Sequence, residues 1–96
     1  MSGQAALLEE LKKETGFYSI VSLMTEVPAF KKVILQGERI IPAILHDLKE
    51  NGPDRALFLA LKQLSKKQPK LPIIPGDMEQ TKNIWLEWGQ KNGYLN

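Results

Sequence analysis

His46 is the only imidazole in this chain and there is no cysteine, so nucleophilic, acid–base or metal chemistry has few residues to run through. A hydrolytic triad needs a histidine within hydrogen-bond reach of its nucleophile, oriented in turn by a carboxylate. Asp47 neighbours His46 in sequence, but consecutive residues of a helix do not face each other. Glu50, four residues on, could share a metal ion with His46 on one helical face. Two ligands make a poor site, and no cysteine or second histidine exists to supply a third. Ser19, Ser22 and Ser65 have no histidine at a spacing that would make them nucleophiles. No G-x-S-x-G, H-E-x-x-H, phosphate-binding loop or dinucleotide fingerprint is present. Catalysis would fall to carboxylates and lysines, and no pattern groups them for it. The expectation is a protein that is not an enzyme, with no catalytic residue, metal or cofactor, and with His46 at the surface.

Binding is better supplied with residues. Arg55, Lys62, Lys66, Lys67 and Lys70 fall in a stretch with no acidic residue. Lys62 and Lys66 are spaced to share a helical face, with Lys67 and Lys70 continuing into a loop. Such a patch could contact phosphates with salt-dependent affinity, form part of a contact surface for a partner protein, or simply keep a small domain solvated. Against nucleic acid, no arginine-rich reading helix, zinc finger or aromatic stacking platform accompanies the lysines. Ile73 and Ile74 sit in the Pro-framed segment LPIIPG, residues 71–76. They either anchor that loop or offer a partner an apolar knob. Trp85 and Trp88 share a helical face with Thr81 and Ile84. Aromatic mass at that spacing reads as core, with Tyr94 folding back over the helix end.

Helices must position all of these. Ser2 can cap a helix running to about Glu14, with Leu7, Leu8 and Leu11 as its stripe and Gly16 as a left-handed stop. Phe17, Ile20, Val21 and Met24 follow at helical spacing. Pro28 can open a segment carrying Phe30, Val33 and Ile34, which ends at Gly37. Ile41, Ile44, Leu45 and Leu48 define the next helix, with Pro42 tolerated in its first turn and Asn51-Gly52 ending it. Pro53-Asp54 opens a helix over "RALFLALKQLS" that is apolar nearly all round, the expected central element. The stretch "KKQPKLPIIPG" then rules out regular helix. Asp77 caps a last helix over about Met78–Asn92, stopped by Gly93.

The fold class expected is all-α: residues 1–96 as one compact domain of five or six short helices, arranged as HEAT-like hairpins or as an irregular bundle. Within it, 1–15 form an N-terminal helix at the periphery and 66–76 a Pro-rich connection.

Val27-Pro28-Ala29-Phe30, Gly37-Glu38, Ile41-Pro42, Pro53-Asp54, Ala60-Leu61 and above all Trp85-Leu86-x-Trp88-Gly89 with Gly93-Tyr94 form a pattern over roughly residues 18–95. In this the chain resembles a family of short, functionally uncharacterised bacterial helical proteins with a C-terminal WLxWGxxxGY signature. It departs from that family at Leu57, Phe58 and Leu59, where tryptophans are usual, and at Lys66, which replaces a glycine. The resemblance implies a helical protein of bacterial or phage origin and carries no activity with it.

Composition sets the remaining bounds. With 43% hydrophobic and 25% charged residues the chain is in the globular range. Its net charge of +2 does not argue for nucleic acid unaided. The first residues lack a signal-peptide pattern, and no apolar run approaches the ~18–20 residues of a membrane span. The expectation is a soluble, cytoplasmic protein, monomer or homodimer, acting as a non-catalytic protein–protein interaction module such as an adaptor, inhibitor or antitoxin-like partner. Its contact residues would be Arg55, Lys62, Lys66, Lys67, Lys70, Ile73 and Ile74. The alternatives are a nucleic-acid-binding module using the same basic stretch, and a small structural subunit or homodimer if the all-apolar helix is not covered within one chain.

Overall fold

Prolines, aspartates and glycines punctuate this chain, and the helix boundaries follow them. The computed structural model describes residues 3–16, 21–69 and 77–95. Among these are α1 (Gly3–Thr15), the single turn α2 (Val21–Met24), α3 (Pro28–Leu35), a 3-10 turn (Gly37–Ile40), α4 (Ile41–Asn51), α5 (Arg55–Leu64) and α6 (Met78–Lys91), with no strand. Pro28 stands in the first turn of α3, where a missing N–H costs nothing. Asp54 caps α5 by accepting from Leu57 N at 3.1 Å. Asp77 caps α6 by accepting from Glu79 N at 3.0 Å and Gln80 N at 3.2 Å. Gly52 and Gly93, at φ 95° and 82°, turn the chain out of α4 and α6 in a conformation that a side chain resists.

One local expectation differs: Gly16 does not have a positive φ, and α1 ends instead on Thr15, whose hydroxyl donates to Leu11 O at 2.8 Å. The helix of Ile41, Ile44, Leu45 and Leu48 carries Pro42 in its first turn as expected; lacking an N–H, Pro42 leaves the preceding residues as a 3-10 turn, and α4 begins at Ile41.

The core is one continuous cluster. Ile41, Ile44, Leu45 and Leu48 of α4 meet Ala56, Leu57, Ala60 and Leu61 of α5, all at most 1% exposed. Leu8 and Leu11 of α1, Phe30 and Val33 of α3 and Trp85 of α6 close around them. α1 packs one face against α3, α4 and α5, burying Leu8, Leu11 and Thr15. Its leucines give the reason, since two fully enclosed leucines each remove enough apolar surface to contribute about 1.5–3 kcal/mol. The half-buried Lys12–Asp47 pair, 2.8 Å apart, ties α1 to α4.

Because α1 crosses three later elements and α4 reaches α6, the arrangement is an irregular bundle. Stacked hairpins would touch only their neighbours in sequence. The centre belongs to α4 and α5 together, and Phe58 and Leu59 of α5 are half-buried. The radius of gyration, 12.4 Å, is close to the ~13 Å expected of a single domain this long.

Candidate interaction surface

One of the two tryptophans, Trp88, holds the basic segment, and Trp85 packs beside it. α6 brings Trp85 and Trp88 together with ring centroids 5.2 Å apart and planes at 83°, an edge-to-face pair. Trp85 is 0% exposed and its Nε1 has no hydrogen-bond partner, so this indole is held by packing alone. Tyr94 stacks on Trp88 at 5.2 Å and 25°. It reaches that position because the backbone past Gly93 folds back, Tyr94 N donating to Gly89 O at 2.9 Å and Leu95 N to the same oxygen at 3.2 Å. Gly89 allows the close approach beneath: a Cβ there would lie 2.5 Å from Cδ1 of Leu45. The aromatic cluster therefore packs as core, and no open cleft runs between its indoles. The Tyr94 hydroxyl titrates above its ordinary value of 10.0, first because burial disfavours the phenolate, then because the Glu38 carboxylate is nearby and accepts its hydrogen bond.

Trp88 also does something that sequence spacing does not announce. Its Nε1 donates to Lys67 O at 2.6 Å, across 21 residues of chain. A second tie joins Gln68 Nε2 to Lys62 O, also at 2.6 Å. The backbone of 65–68 is thus pinned on one side to α6 and on the other to the end of α5. Ser65 starts this departure from helix, with its N and Oγ both donating to Leu61 O, at 2.9 and 2.7 Å, and its own backbone extended. Lys66 therefore lies past the helix end and does not share a helical face with Lys62, as its spacing suggested.

Lys62, Lys66 and Lys67 are exposed, and none is in an ion pair with a carboxylate among the described residues. Lys62 lies in the last turn of α5 and Lys66 and Lys67 just beyond it, where positive charge is favoured by the negative end of the helix dipole. Arg55 is exposed too, but at the opposite end of α5, about 10 Å of helix away from Lys62. It borders a different depression, beside Lys12, Thr15 and Met78. Three of the basic residues thus stand at or just past the C-terminal end of α5, and the fourth stands at its start. Lys70, Ile73 and Ile74 lie outside the described residues.

His46 is exposed on α4, at the edge of a groove of about 570 Å³ between α1 and α4 that Glu9, Asp47 and Glu50 also line. Asp47 is already engaged by Lys12. Among the described residues no three His, Asp or Glu side chains converge as metal ligands. None of the helices in that set is long and apolar enough to cross a membrane.

No protein-family model matches the chain, and neither a curated protein nor a solved structure is similar enough to count as a match.

Proposed function

We propose that this protein is a non-catalytic interaction module that captures a larger protein through an acidic patch on that protein. The observation that carries this reading is the pinned lysine segment. Trp88 and Gln68 fix the backbone at Lys67 and Lys62 while the ammonium groups of Lys62, Lys66 and Lys67 stay exposed. A fixed backbone lowers the ordering cost of binding, and clustered like charges steer an opposite surface toward it. The side chains that could act on a substrate are dispersed: His46 faces one groove, and the lysines stand at the end of α5 and in the segment after it. Lys70, Ile73 and Ile74 follow this segment in the sequence, outside the described residues, and Arg55 contributes only if the partner spans the length of α5.

Affinity capture from the native host's lysate, with and without nuclease, tests the reading. The expected result is a protein retained at about 50 mM salt, weakened at about 200 mM and indifferent to nuclease. Loss of the captured material on nuclease treatment would replace this proposal with a nucleic-acid-binding module acting through the same lysines.

A further inference from the structure

α3 carries the most exposed large apolar side chain among the described residues. Leu35 is 82% exposed, although Ile34 beside it packs against the core and Phe30 is 2% exposed. Next to Leu35 lies a shallow groove of about 290 Å³, lined by Thr25, Phe30, Lys31, Ile34, Leu35 and Gln63. Leu23, 46% exposed, is two residues before the groove-lining Thr25. One short helix thus presents an apolar knob and an apolar hollow side by side. An isologous contact uses this pairing, because a two-fold axis sets each copy's knob over the other's hollow.

The charges on this face select the occupant. Lys31 and Glu26 stand 3.9 Å apart and are 64% and 74% exposed. So open a pair contributes little within one chain, and each member can turn to an opposite charge brought by a second molecule. A uniformly acidic or basic partner would satisfy one of them and oppose the other. A second copy related by a two-fold axis brings both signs in the complementary order.

We propose that the chain self-associates about a two-fold axis through α3, each Leu35 seating in the groove of the second copy while Glu26 and Lys31 pair across the axis. The groove reaches Gln63, next to Lys62 in sequence, but the contact uses none of Lys62, Lys66 and Lys67, so it stands independently of the proposed capture of an acidic partner. α3 is eight residues long, about 12 Å of helix, so the contact is small and the association is reversible with dilution.

Sedimentation velocity of the full chain from ~5 to ~500 µM tests this. The wild type should shift from monomer to dimer across that range. Leu35→Glu, a change at an exposed position, should weaken association at least about tenfold with unchanged far-ultraviolet circular dichroism. Glu26→Lys and Lys31→Glu should each weaken the homodimer, and an equimolar mixture of those two variants should restore association. If Leu35→Glu misfolds, the charge-reversed pair decides alone. A wild type that stays monomeric at the highest concentration overturns the proposal, as does a dimer indifferent to these substitutions.

Discussion

Gly89 is where α6 comes closest to α4, and substituting it has a calculable consequence. The methyl of Gly89→Ala would lie 2.5 Å from Cδ1 of Leu45 and 3.3 Å from Cδ1 of Leu95, against an ordinary contact of 3.4–4 Å. Leu45 must retreat by about 1 Å, and at 0% exposure it cannot do so without moving its neighbours. Overpacking of this kind costs about 1–3 kcal/mol. Replacing glycine by alanine inside a helix returns about 1 kcal/mol. The net expectation is a destabilisation of about 0–2 kcal/mol, too narrow a margin for one variant to establish the cause. A double-mutant cycle isolates it. Leu45→Ala alone should cost about 2–5 kcal/mol, but it also removes the clashing atom. Gly89→Ala made in that background keeps the helix gain and fills part of the cavity. The double variant should then be more stable than the sum of the two single changes by about 1–3 kcal/mol. Urea unfolding followed by far-ultraviolet circular dichroism supplies the four free energies. Additivity within about 0.5 kcal/mol would refute the close approach of α6 to α4 through Gly89.

Three further outcomes are expected. Asp77→Ala removes the acceptor for Glu79 N and Gln80 N and should lower stability by about 0.5–2 kcal/mol, whereas Asp77→Asn or Asp77→Ser should retain most of it, as read by urea midpoints. Trp88→Phe keeps an aromatic ring under Tyr94 but loses the donor to Lys67 O, so amide hydrogen exchange should quicken at residues 65–68 while α4 and α5 stay protected. Tyr94 has its pKa raised in the folded state, so the stability it contributes as a neutral phenol is fully present below pH 10.0 and is lost as pH rises through the higher folded value. Phenolate absorbance of wild type minus Tyr94→Phe should therefore show a midpoint above 10.0, and that variant should lose less stability at alkaline pH; a midpoint at or below 10.0 would contradict the burial of the ring and its bond to Glu38.

Much of the backbone was legible because its signals are local. Pro28, Asp54 and Asp77 mark helix starts, and Gly52 and Gly93 mark stops, through steric and hydrogen-bonding preferences that act over three or four residues. The end of α1 shows a local competition: Thr15 used its hydroxyl on the preceding turn where Gly16 looked like the stop. Ser65 did the same to the spacing of Lys62 and Lys66. The candidate surface was readable as composition, three lysines without a nearby acid, but not as geometry. The bond from Trp88 to Lys67 joins residues far apart in sequence, and an indole N–H carries no directional signal in a string of letters. Leu35 was hidden for a related reason. It extends the apolar run Val33-Ile34, and only the placement of α5 decides which of the three is left facing water.

Charge reversal on the pinned segment decides the proposed function. The triple variant Lys62→Glu, Lys66→Glu, Lys67→Glu changes exposed side chains beyond the core, so its helical circular dichroism should match wild type while its stability falls by only about 1–3 kcal/mol as anions replace cations at the C-terminal end of α5. Used as bait beside wild type in nuclease-treated lysate at about 50 mM salt, it should lose the captured protein entirely. Equal capture by both baits would mean that these lysines serve only to solvate the end of α5, and the interaction surface assigned to them would be wrong.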